Sequence, residues 1–125
     1  MTSEAASPPT ILLVEDDRHI RVMISWYLEQ EGFRVLQAAS GEDALPILER
    51  EPVLGLLLVD LGMPGMNVHE LRDAVRADAR HASVPMVLIS GDSSLQEKAR
   101  KVGAVDFIEK PLELPKLLEI VKKHV

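Results

Sequence analysis

Leu56-Leu57-Leu58-Val59 is an unbroken apolar run that ends in a carboxylate, Asp60, and Leu61-Gly62-Met63-Pro64 then turns the chain. A run this short and continuous has no polar face to leave in water. It fits a central strand of a parallel sheet, covered on both sides, and not an amphipathic helix or a surface strand. Parallel neighbours cannot be joined by tight hairpins, so the connections must be long crossovers, usually helices. This one stretch therefore predicts an α/β chain. It also puts Asp60 at the carboxyl end of its strand, the rim where open parallel sheets bind ligands.

The remainder of the chain repeats that grammar. Thr10-Ile11-Leu12-Leu13-Val14 runs into Glu15-Asp16-Asp17, and Val84-Pro85-Met86-Val87-Leu88-Ile89 runs into Ser90-Gly91. Ala104-Val105-Asp106-Phe107-Ile108 precedes Glu109-Lys110-Pro111, while Phe33 to Ala38 alternates only partly, as an edge strand does. Helix signals fill the gaps. Asp17 is a candidate N-cap for a helix to about Glu31, with Ile20, Ile24 and Leu28 as its core stripe and Gly32 as its stop. Ser40, with Asp43 three residues on, opens a second helix whose inner face is Ala44, Ile47 and Leu48; Pro46, which lacks a backbone donor, predicts a kink or an irregular start there. Val68, Leu71, Ala74 and Val75 mark a third, with Arg72, Arg76 and Arg80 toward solvent. Ser93 or Ser94 caps a fourth that stops at Gly103, and Leu114, Leu117, Leu118 and Val121 line a fifth, with Pro115 in its first turn and Lys122, Lys123 and His124 at its negative end. Alternating strands and helices predict a doubly wound, flavodoxin-like five-stranded parallel sheet of order 2-1-3-4-5. Residues 1–9, small, polar and ending in two prolines, are expected to be a disordered leader, and 10–124 one domain.

Composition narrows the function. A chain of 125 residues is one domain's worth, and a net charge of −6 argues against gripping nucleic-acid phosphates. With no cysteine there are no disulfides, thiolate metal sites or thiol nucleophiles, which fits a reducing compartment. No apolar run nears the roughly 18 residues of a membrane span, and no signal-peptide core is present, so the expected location is the cytoplasm. Neither a P-loop nor a dinucleotide fingerprint occurs. The four histidines, His19, His69, His81 and His124, fall at positions expected to be exposed, and none is assigned as ligand or phosphoacceptor. Trp26 and Val22 lie off the first helix's inner stripe, where they either pack at its margin or form a docking patch.

Four of the strand signals end in polar groups: Glu15 and Asp16, Asp60, Ser90, and Lys110. Each has an ordinary reading, as turn residue, helix cap or surface charge. In the predicted strand order, however, three carboxylates share one cleft. Unit charges ~4 Å apart at an effective dielectric near 20 repel by roughly 4 kcal/mol, so such a cluster calls for a cation. All-oxygen ligands suit Mg²⁺ or Mn²⁺ better than zinc. Lys110 can meet one phosphoryl oxygen and Ser90 can donate to another, a layout for in-line transfer to Asp60 as nucleophile.

The stretches Ile-Leu-Leu-Val-Glu-Asp-Asp, Leu-Val-Asp-Leu-Gly-Met-Pro-Gly-Met, Leu-Ile-Ser-Gly and Gly-Ala-Val-Asp-Phe-Ile-Glu-Lys-Pro, in this order and spacing, resemble the receiver domains of two-component response regulators, including the single-domain chemotaxis type. The resemblance implies that Asp60 takes a phosphoryl group from a sensor histidine kinase or a histidine phosphotransfer protein. It implies that Glu15, Asp16, Asp60 and the Gly62 backbone carbonyl hold the metal, that Ser90 and Lys110 contact the phosphate, and that Lys110-Pro111 is cis. Phe107 would change rotamer as Ser90 moves, altering a surface made by the fourth helix, fifth strand and fifth helix, and so the affinity for a downstream protein. Such a protein is a phosphoacceptor and not an enzyme acting on other substrates, a monomer or weak dimer, with no direct nucleic-acid or membrane contact. Three features depart from the family's commonest pattern: Ser90 stands for Thr, Phe107 for Tyr, and Asn67-Val68 for Asp-Gly. The first two predict looser switch coupling and the third a different loop into the third helix. Four outputs stay open: a stand-alone switch, a phosphorelay intermediate, a phosphorylation-independent adaptor, and the receiver of a larger transcriptional regulator.

Overall fold

The computed structural model describes residues 8–62 and 67–125. Most of the expected leader, and the turn at 63–64, lie outside the described residues. Five strands, β1 (Thr10–Val14), β2 (Arg34–Ala38), β3 (Leu56–Asp60), β4 (Met86–Ser90) and β5 (Asp106–Glu109), alternate with helices α1 (Arg18–Gln30), α2 (Gly41–Arg50), α3 (Val68–Ala77), α4 (Leu95–Val102) and α5 (Leu114–His124). All strand pairs are parallel and the order is β2-β1-β3-β4-β5, as the run pattern predicts.

Every residue of β1, β3 and β4 is buried. Alternation along these strands splits their side chains between two cores. Leu12, Val14, Leu57, Val59 and Leu88 face α2, α3 and α4, through Ala44, Leu48, Leu71, Val75, Leu95 and Val102. Ile11, Leu13, Leu56, Leu58, Val87 and Ile89 face α1 and α5, through Ile24, Leu28, Leu117 and Val121. A fully buried Leu or Ile contributes about 1.5–3 kcal/mol, so this two-sided burial outweighs any single helix propensity in fixing the topology.

Local signals locate most helix ends. Asp17 accepts from the Ile20 amide, Ser40 from Asp43 and Asn67 from Glu70, each at 3.0–3.1 Å. Gly32 (φ 95°) and Gly103 (φ 79°) take the left-handed turns that end α1 and α4. The irregular start expected from Pro46 does not occur: α2 is continuous, and only one internal bond is forgone. Neither Ser93 nor Ser94 caps α4 with its side chain. Asp92 takes that part, its Oδ1 accepting from the Ser94 amide (2.8 Å) and hydroxyl (2.7 Å) while Lys98 holds Oδ2 at 2.6 Å. β4 and β5 begin two residues later than the apolar runs suggest, at Met86 and Asp106.

Two expectations about exposure are corrected. His81 is fully buried, its Nε2 2.9 Å from the Leu48 carbonyl and its Nδ1 without a partner, because the α3–β4 connection tucks beneath the end of α2. Arg72 is half-buried and reaches the Val102 carbonyl at 3.3 Å, whereas Arg80, beyond α3, is exposed as expected while donating to the Leu48 and Glu49 carbonyls (3.3 and 2.9 Å). Both arginines thus serve a neighbouring helix's orphan carbonyls. Trp26 and Val22 are exposed, at 60% and 47%.

Candidate functional site

The register of the sheet assembles the site. Val14 pairs with Val59, so the next residue on each strand, Glu15 and Asp60, emerge side by side at the carboxyl rim. Asp60 pairs with Ile89, placing Ser90 one step further on. Ser90 pairs with Glu109, and the Lys110 amide donates to the Ser90 carbonyl at 2.9 Å, extending the ladder until the lysine faces the rim. The Lys110-Pro111 peptide bond is cis.

Glu15, Asp16 and Asp60 each offer an oxygen within 4.8 Å of the others, Asp16 from an exposed position and the other two from buried ones. Lys110 Nζ donates to Asp60 Oδ2 at 3.0 Å and stands 4.0 Å from Glu15 Oε1. Asp60 Oδ1 accepts from the Gly62 amide at 3.0 Å. Glu15 Oε2 accepts from the Asp17 amide at 3.1 Å, whereas Oε1 is buried with no hydrogen-bond donor among the described residues. A buried carboxylate oxygen without a donor, inside an all-oxygen cluster, is the donor set a hard divalent cation takes. The residues present therefore fit Mg²⁺ or Mn²⁺.

The electrostatics carry the same imprint. Burial, and then the adjacent Asp60 carboxyl, push Glu15 up to about 8 against the pull of the Asp17 amide and Lys110. Burial also opposes charge on Asp60, but bonds from Glu15, Gly62 and Lys110 outweigh it and hold Asp60 below the usual carboxylate range. The two carboxyls titrate as one coupled pair, raised on the Glu15 side and lowered on the Asp60 side. Burial disfavours the Lys110 ammonium, yet Asp60, Glu15 and Asp16 together keep its pKa raised. An ionised carboxylate beside a fixed ammonium and a cation-demanding cluster can attack an electrophilic phosphorus.

Ser90 Oγ accepts from the Asp92 amide at 3.0 Å, which leaves its proton available to an incoming oxygen. Phe107 is half-buried and packs against the core on the α2–α4 side. The sequence pattern did not single out Arg21, whose Nη1 donates to the Glu15 carbonyl at 2.9 Å and so braces the acidic turn. Its position one turn into α1, four residues after the capping Asp17, is the signal that could have found it. Of the histidines, none joins the cluster; His124 instead meets Asp106 at 2.9 Å.

A family model described as the response regulator receiver domain matches residues 11–122. The response regulator protein FleR of Pseudomonas aeruginosa is 37% identical over 114 residues, covering 91% of this chain and 24% of FleR. The chain thus spans about a quarter of the length of the first such relatives. Among solved structures, Vibrio cholerae chemotaxis protein CheY4 superposes with a TM-score of 0.86 at 28% identity, covering 94% of this chain and 99% of that one. The receiver domain of the sensor histidine kinase PA1611 from P. aeruginosa, solved with a magnesium ion coordinated in its active site cleft, gives 0.81 at 26% identity, with coverage of 94% and 97%. With the family's model matched from the first strand to the last helix and the strand order shared, this chain belongs to the response regulator receiver domains.

Proposed function

We propose that this receiver, over residues 10–124, accepts a phosphoryl group on Asp60 from the phosphohistidine of a sensor kinase or a histidine phosphotransfer protein. The observation that carries this reading is Lys110 Nζ held 3.0 Å from an ionised Asp60 within the three-carboxylate cluster. A carboxylate oxygen of Asp60 forms a bond to phosphorus while the phosphorus–nitrogen bond of the donor breaks. The electron pair leaves with the imidazole nitrogen, and an acyl phosphate remains. Glu15, Asp16, Asp60 and the Gly62 carbonyl would hold Mg²⁺, which when bound neutralises charge on the phosphoryl oxygens. Lys110 balances a second oxygen and Ser90 donates to a third. Magnesium in the PA1611 receiver and the orphaned Glu15 oxygen both support the metal assignment.

The output is a change in protein affinity at the face of α4, β5 and α5. In support, an open groove along Asp106, Phe107, Lys110, Pro111, Lys116 and Ile120 begins at the site's own lysine. Movement of Lys110 toward a phosphate would therefore be felt along it. The chain acts as phosphoacceptor and switch, and a cytoplasmic setting suits a kinase-fed receiver. Incubation with acetyl phosphate and Mg²⁺ tests the reading: intact-mass analysis is expected to show one added phosphoryl group, lost in Asp60→Asn and in the presence of a chelator. An unmodified parent chain, or unchanged modification in Asp60→Asn, would overturn it.

A further inference from the structure

Away from the carboxyl rim, a cavity of about 180 Å³ opens between the end of α3, the start of β4 and the turn after α4. Its lining combines the apolar side chains of Val75, Val84, Met86 and Val105 with Arg72 and Arg76. Among the described residues no carboxylate lines it, although the chain's net charge is −6. The two arginines stand at i and i+4 on one helix, an arrangement in which like charges repel. Both converge on the last turn of α4: Arg72 Nη1 reaches the Val102 carbonyl at 3.3 Å, and Arg76 Nη2 lies 2.7 Å from where a Cβ on Gly103 would be. Arg72 is otherwise paired only with its exposed neighbour Asp73, and Arg76 has no ion pair among the described residues. Capping α4 accounts for part of this charge, since cations suit a helix's carboxyl end. It uses a single long bond and leaves the Arg76 guanidinium beside Gly103, in the lining of the cavity.

We infer that this cavity is a binding site for a small carboxylate with a short apolar tail, its oxygens bridged by Arg72 and Arg76. Planar guanidinium groups match a carboxylate in bidentate geometry, and the apolar side chains in the lining offer a short tail contacts that a bare inorganic anion cannot use. The volume is below the ~300–1,000 Å³ of drug-sized pockets, which limits the occupant to a small molecule. An occupant would also draw Arg72 from the Val102 carbonyl, loosening the hold of α3 on α4. Hexanoate binding is therefore coupled to the position of α4, independently of any phosphate on Asp60.

The test titrates the isotope-labelled full chain with hexanoate, hexylammonium and inorganic phosphate, followed by amide shifts. Hexanoate is expected to give saturable shifts at Ser83, Gly103 and Val105, in the millimolar range, weakened about tenfold in Arg76→Met. Arg100→Met, which removes a cation of α4 outside the cavity, is expected to bind like the parent. Equal shifts with hexylammonium or with phosphate, no saturation at these amides, or parental affinity in a folded Arg76→Met would overturn the site. Should Arg76→Met not fold, Arg76→Gln serves the same comparison.

Discussion

Lys110 and Asp60 are fifty residues apart in sequence and joined by a 3.0 Å bond at the sheet's rim. The ammonium is part-exposed and the carboxylate nearly buried, so the lysine is what makes an ionised Asp60 tolerable there. Lys110→Met keeps the apolar stem and removes the charge. The metal-free variant is expected to lose about 1–3 kcal/mol in urea unfolding, less than a wholly buried pair because water reaches the ammonium. Its phosphorylation by acetyl phosphate is expected to slow by about a hundredfold or more, read by intact mass against time.

Glu15 carries the cost of the cluster. Its folded pKa is raised from 4.5 to about 8 by burial and by Asp60. A raised carboxyl contributes stability that is fully present below the unfolded value and lost as pH rises through the folded one. Without metal, the parent is therefore expected to weaken between about pH 4.5 and pH 8, whereas Glu15→Gln, neutral throughout, keeps about 1–3 kcal/mol more at the upper end. The same substitution is expected to abolish the rise in melting temperature that Mg²⁺ gives the parent. A parent and variant with parallel pH curves would contradict this.

Arg21 is a positioning residue for the acidic turn, through its 2.9 Å bond to the Glu15 carbonyl. Arg21→Ala is expected to weaken Mg²⁺ binding about tenfold, in line with the loss of a group that orients metal ligands, while saturating Mg²⁺ restores modification of Asp60. Calorimetric titration of Mg²⁺ separates this from a general loss of fold, which would not be rescued by excess metal.

Acid weakens the clasp beneath α2. Arg80 holds the exposed Asp78 carboxyl down to about 2, and Arg80 in turn reaches the Leu48 and Glu49 carbonyls. A lowered carboxyl stabilises above its unfolded value and loses that contribution as pH falls through the folded one. Asp78→Asn is expected to flatten the decline of stability between about pH 4 and pH 2, measured by thermal unfolding across that range.

Two glycines give a matched backbone test. Gly32 and Gly103 both sit at positive φ, with open space around a Cβ at the first and only the movable tip of Arg76 at the second. Ala at either position is expected to cost about 1 kcal/mol, nearly equally, because the backbone conformation and not the contact sets the penalty. A much larger loss at Gly103 would mean that Arg76 cannot move.

Periodicity and caps were read locally with success because their causes are local. The apolar runs of β1, β3 and β4, the stripe of Ile24 and Leu28, and the caps Asp17 and Ser40 depend on residues within one or two turns. Misreadings arose where a distant element intervened. His81 is polar in sequence but buried because α2 lies over it, and Arg72 turns from solvent to the Val102 carbonyl of α4. Ser94 is the N-cap of α4 as expected but makes no side-chain cap bond, because Asp92, oriented by Lys98, holds its amide and hydroxyl.

By itself the sequence determined where the fully buried strands β1, β3 and β4 give way to polar residues, since burial on both faces requires continuous apolar runs. It thereby named Asp60, Glu15, Asp16, Ser90 and Lys110 as residues of one rim. Only the tertiary structure decided their distances, that burial raises Glu15 while its neighbours lower Asp60, and that Arg21 braces the turn. The reason is physical: hydrophobic patterning acts along the chain, whereas electrostatic pairing falls off with distance through space and exists only after the strands have aligned.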